Sequence, residues 1–140
     1  MKITGQLRLQ HDELLQLADG LATELDPARL GSDEGACRQR LQRLLGRLAV
    51  HLAVEDKILY PRLLGHARAD VARRARNFTE EMGALGAVVK GFAARWEADG
   101  AIRERPADFV SECRAILEAL GRRIARENAE LYALADEIGL

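Results

Sequence analysis

Four stretches of the chain place apolar residues three and four positions apart, the spacing of a helix that buries one face. The first carries Leu7, His11, Leu14, Ala18, Leu21 and Leu25 in phase, and the second Leu44, Leu48, His51, Glu55 and Ile58. The third carries Phe78, Met82, Leu85, Val89, Phe92 and Trp96, and the fourth Leu120, Arg123, Glu127, Leu131 and Leu134. Breakers separate them. Asp26-Pro27 ends a helix that starts near Gly5, because the residue before a proline avoids helical geometry. After a short Arg29-Leu30-Gly31 loop, Ser32 or Asp33 caps the second helix, which Pro61 kinks or ends ahead of Gly65. The third helix spans Ala69 to Ala98 with Gly100 as its stop, and Pro106 suits the first turn of the fourth. Four helices with short connections predict an all-α, up-down-up-down antiparallel four-helix bundle, with residues 1–140 forming one domain.

Polar residues interrupt three of these stripes at the buried phase. His51 and Glu55, one turn apart, are costly on an apolar face unless something satisfies them. A metal ion is the usual partner for such a pair, and imidazole with carboxylate suits iron, zinc or manganese. His11 and Glu127 bring two more donors to the same interior. Arg123 argues the other way. Guanidinium cannot give up its proton to ligate, and one turn before Glu127 it can neutralise Glu55, Glu81 or Glu127 itself.

These residues resemble the hemerythrin-like HHE cation-binding family over nearly the whole chain. The resemblance rests on His11-Asp12 in the first helix and on His51-Leu-Ala-Val-Glu55 running into Tyr60-Pro61 in the second. Two of the family's characteristic histidines are absent. The third-helix position reads Glu81-Met82, and the fourth-helix motif reads Arg123-Ile-Ala-Arg-Glu127. The resemblance implies a hemerythrin-like bundle with metal ligands His11, His51, Glu55 and Glu127, of which Glu55 matches a carboxylate that can bridge two irons. Glu81 shares a face with Phe78, Leu85 and Phe92, so it either replaces the third-helix imidazole as a ligand or belongs to a solvated edge. Gly83 and Gly86 leave room near it for a small ligand or for tight helix crossing.

Composition narrows the alternatives. Hydrophobic residues are 48% of the chain and aromatics only 4%, the balance of a helical bundle. Charged residues cancel to a net charge of -1, which gives no global reason for nucleic-acid or anionic-membrane binding, and Arg73-Arg74-Ala75-Arg76 reads as a solvated face. Cys37 and Cys113 form no Cys-x-x-Cys motif and read as two half-buried thiols rather than a disulfide. His66 follows Gly65 in an exposed loop, and Tyr60 and Tyr132 close one end of the bundle. With no leader or membrane span in view, the expected setting is cytoplasmic, and the leucine-rich helices are compatible with a homodimer. Two functions stand open. One is a non-heme iron protein, mono-iron or di-iron, that senses or handles iron, O₂, peroxide or NO, with loss of two imidazoles arguing against reversible O₂ carriage. The other is a metal-free interaction module in which Arg123 replaces the metal's charge.

Overall fold

A computed structural model describes residues 2–82 and 84–140, and all regular structure among them is helical. Helix α1 (Ile3–Ala22) buries Leu7, His11, Leu14, Ala18 and Leu21, the expected stripe. Asp26 then accepts a 3.1 Å hydrogen bond from the Ala28 N–H and starts α2 (Pro27–Leu30), so the stretch expected as a loop is one helical turn that buries Leu30. The N-cap of α3 (Gly35–Val54) is Glu34, not Ser32 or Asp33, and its side chain makes no capping bond; Asp33, one residue earlier, accepts from the Gly35 N–H at 3.0 Å.

Beyond α3 the helix does not break at Pro61. It widens into a π turn, π1 (Glu55–Leu59), and continues as α4 (Tyr60–Leu64) with the proline in its first turn. The extra residue in the wide turn shifts the phase by one, so Leu59 is buried and Ile58 is exposed, the reverse of the simple α-periodic reading. The expected third helix is two segments, α5 (Ala69–Met82) and α6 (Leu85–Trp96), because Ala84 leaves helical geometry at φ −98° and ψ 57°. Gly83 lies outside the described residues. A short α7 (Ala101–Glu104) leads into α8 (Pro106–Arg126), a second π turn, π2 (Glu127–Leu131), and α9 (Tyr132–Glu137).

Helix α1 packs on α3, α3 on α6, α6 on α8 and α8 back on α1. Two apolar cores fill the interior. One gathers Leu14, Leu48, Phe92, Trp96, Phe109 and Leu120, and the other Leu7, Leu59, Leu63, Phe78, Leu131 and Leu134. Each fully buried side chain of this size contributes about 1.5–3 kcal/mol. The polar interruptions fall between them in every case. His11 lies between Leu14 of the first core and Leu7 of the second, His51 and Glu55 between Leu48 and Leu59, and Arg123 and Glu127 between Leu120 and Leu131. Cys37 and Cys113 are free thiols buried outright in the first core, more deeply than expected, and burial pushes Cys37 up to about 11 and Cys113 up to about 12. No described helix is long and apolar enough to cross a membrane.

Candidate metal centre

The polar layer converges on a single point. His11 Nε2 stands 3.1 Å from His51 Nε2 and 3.0 Å from Glu127 Oε1, while His51 Nε2 stands 3.3 Å from Glu55 Oε1. One donor atom from each of His11, His51, Glu55 and Glu127 lies within 4.8 Å of the others. All four side chains are essentially sealed from solvent. Four ligand-type groups drawn from α1, α3, π1 and π2 thus share one small volume, the arrangement by which helical bundles build metal sites from facing helices.

The two π turns explain how. Each begins at a glutamate, in Glu55-Asp-Lys-Ile-Leu-Tyr60 and Glu127-Asn-Ala-Glu-Leu-Tyr132, and each closes with the tyrosine N–H donating to the glutamate carbonyl five residues back. That wide turn brings the tyrosine round to the glutamate's own face. The tyrosines then cross over. Tyr60 donates its hydroxyl to Glu127 Oε2 at 3.1 Å, and Tyr132 donates to Glu55 Oε2 at 2.8 Å. Tyr132 Oη also lies 3.0 Å from His11 Nε2, and its ring stacks on the His11 imidazole at 4.9 Å. Expected only to close the bundle end, both tyrosines are part of the cluster. The repeated Glu-x-x-x-Leu-Tyr pattern was the signal for it.

Two amides orient the imidazoles. His11 Nδ1 donates to Asn128 Oδ1 at 2.8 Å and His51 Nδ1 donates to Gln10 Oε1 at 2.7 Å. An outward proton on each Nδ1 turns each Nε2 toward the cluster, the device by which proteins present histidine to a metal. Asp12 and Asp56, which follow a cluster residue directly in sequence, are exposed. The sequence clue to the amides is adjacency alone, Gln10 before His11 and Asn128 after Glu127.

Charge in the cluster is unevenly held. Burial alone would raise the Glu127 carboxyl, but hydrogen bonds from His11 and His51 and the Arg123 cation reverse this and hold it far below the usual carboxylate range. Glu55 goes up, through burial and the neighbouring Glu127, with His51 offsetting part. Burial opposes a charge on His51, yet Glu127 and Glu55 outweigh it and lift the imidazole to about 9. Arg123 reaches Glu55 Oε1 through Nη2 and Glu127 Oε2 through Nε, both at 3.4 Å. It fails to reach hydrogen-bond geometry of the short, strong kind.

Outside Arg123 and Tyr60 opens a pocket of about 410 Å³, walled by Leu52, Pro61, Met82 and Gly86. Gly86 therefore borders open space. Glu81 is not brought into the cluster. It lies on the exposed edge of α5, where its carboxylate pairs with Arg126 at 2.7 Å. The helix break after α5 ends the α-periodic stripe that had aimed it inward. His66 is half-buried in the turn after α4, where its Nδ1 accepts from the Arg68 N–H.

A family model described as Hemerythrin HHE cation binding domain matches residues 2–135. No curated protein and no solved structure matches the chain.

Proposed function

We propose a metal-holding role that starts from the family, for the chain belongs to the hemerythrin HHE cation-binding family. In this reading residues 1–140 form one up-down-up-down four-helix bundle, and His11, His51, Glu55 and Glu127 hold a single non-heme iron. The observation that carries it is the convergence of those four donors within 4.8 Å. The donor chemistry fits: inward Nε2 atoms fixed by amides, an ionised Glu127, and a second carboxylate whose raised proton affinity a cation would reverse. One ion rather than two is favoured because the guanidinium of Arg123 already spans Glu55 and Glu127, and it cannot become a ligand.

Iron bound there would supply a Lewis-acidic, redox-active centre for a small ligand such as O₂, peroxide or NO. The protein's own contribution is positioning. Gln10 and Asn128 set the two rings, Tyr60 holds a proton against Glu127, and the apolar cores exclude bulk water. The pocket ends at Tyr60 and Arg123, the two side chains that touch the cluster's carboxylates from that side. Two imidazoles fewer than the family pattern points away from reversible O₂ carriage, which leaves sensing or handling of iron, O₂, peroxide or NO as the proposed role.

A second reading has its own observation. Among the described residues, the only buried side-chain atoms without a partner are the carboxylate oxygens of Glu34, outside the cluster. Arg123 and a protonated His51 can therefore satisfy the carboxylates with no metal at all, leaving a helical interaction module. Elemental analysis of protein made in iron-rich medium and purified without chelator separates the two. Iron in the wild type and in His66→Ala, but not in His51→Ala, supports the metal reading. Equal iron in the two variants contradicts the assignment of His51, and no iron in the wild type favours the module. Parallel loading with zinc and manganese tests which ion the imidazole–carboxylate set prefers.

A further inference from the structure

Tyr132 occupies a place that no leucine stripe foretells. Its residue is fully buried, and its hydroxyl oxygen lies 2.8 Å from Glu55 Oε2, 3.0 Å from His11 Nε2 and 3.5 Å from His51 Nε2. It therefore touches three of the four donor groups at once. A hydroxyl has a single proton and can donate to just one of these neighbours, so it turns lone pairs toward the rest. A side chain placed only to steady one carboxylate has no need of that central position. Tyr60 shows the contrast: its hydroxyl reaches Glu127 Oε2 alone among the four and borders the open pocket.

We propose that Tyr132 Oη is itself a ligand of the bound metal, and that the centre is a ferric–phenolate site. The inference rests on the metal reading above and deepens it. The donor set becomes two imidazoles, two carboxylates and one phenolate, so three of five donors are anionic oxygens. Such a set matches the hard, highly charged ferric ion better than zinc or ferrous iron. Arg123, the fixed cation beside it, offsets the added negative charge. On binding, the phenol O–H bond breaks, its proton passes to water, and an oxygen–metal bond forms. No electron is transferred, and the iron enters and stays ferric.

The test loads metal-free protein with ferric nitrilotriacetate and removes excess by gel filtration. Iron per chain, the visible absorption spectrum and the resonance Raman spectrum are then read for wild type, Tyr132→Phe and Tyr60→Phe. The expected result is a phenolate-to-iron charge-transfer band in the visible, with tyrosine ring modes enhanced on excitation within it. That band is kept in Tyr60→Phe and lost in Tyr132→Phe, which still carries iron. Should Tyr132→Phe fail to fold, the band and ring modes in wild type and Tyr60→Phe decide the matter, because Tyr132 is then the tyrosine left in the cluster. Iron bound by the wild type without such a band overturns the phenolate while leaving the metal reading intact. A band that disappears in Tyr60→Phe and survives in Tyr132→Phe assigns the ligand to Tyr60 and overturns it too. No iron bound by the wild type removes both.

Discussion

The two glutamate turns make a natural comparison. Residues 51–60 and 123–132 share one spacing, in which a basic residue precedes a glutamate by four and a tyrosine follows it by five. Each passes through a π turn at its glutamate, and each tyrosine crosses to the other's carboxylate. The halves differ where it matters for chemistry. His51 can release its proton and offer a lone pair, whereas Arg123 can offer only charge. On the proposed metal reading, one half therefore offers a ligand and the other a permanent cation. The cluster is balanced between holding a metal and compensating for its absence.

Removing the cation disturbs that balance most. In metal-free protein, Arg123→Met strands two buried carboxylates and should lower stability by roughly 3–5 kcal/mol. In iron-loaded protein the same change should be mild, since the ion supplies the missing charge. Chemical denaturation of wild type and variant, with and without iron, measures both. A loss that iron does not reduce would place the compensation wholly in Arg123.

The histidine half should show itself through pH. His51 has a folded value raised from 6.5 to about 9. A raised value contributes stability that is fully present below pH 6.5 and is lost as pH climbs through about 9. The contribution is on the order of 3 kcal/mol. Metal-free protein should accordingly weaken across that window, and His51→Gln should flatten the profile. Iron affinity should move the opposite way, strengthening with pH as the competing proton leaves. An unchanged profile in His51→Gln would assign the titration elsewhere.

Smaller effects are expected at the tyrosines. In metal-free protein Tyr132→Phe removes a donor from sealed surroundings and should cost about 1–3 kcal/mol, whereas Tyr60→Phe, beside the pocket where water can substitute, should cost less. Equal losses would mean that the pocket does not hydrate Glu127. Smallest of all, Glu81→Ala should change stability by no more than about 0.5 kcal/mol and leave iron content untouched, because its partner Arg126 is a surface residue. Iron lost in that variant would return Glu81 to the ligand set.

Much of this cluster was legible before any coordinates. His11, His51, Glu55 and Glu127 interrupt apolar stripes at the buried phase, and burying a charge there demands a partner, so periodicity alone drew them together. What escaped was whatever depends on a change of period. A π turn moves the stripe by one residue, so Ile58 was expected inside where Leu59 is found, and the tyrosines were read as end caps. Glu81 was drawn inward by extending one α-helical phase through a segment where the helix stops at Met82. Gln10 and Asn128 carry no periodic signal at all, because amides are common on solvated faces and only the ring nitrogens beside them reveal their work.

The decisive measurement is the iron stoichiometry of the metal-free chain, read as iron retained per chain after stepwise loading with ferric nitrilotriacetate and gel filtration. Saturation at one iron per chain is expected for the wild type, with Arg123→His opening a second position. Saturation of the wild type at two irons would contradict the role given to Arg123, and the absence of any binding would contradict the metal centre itself.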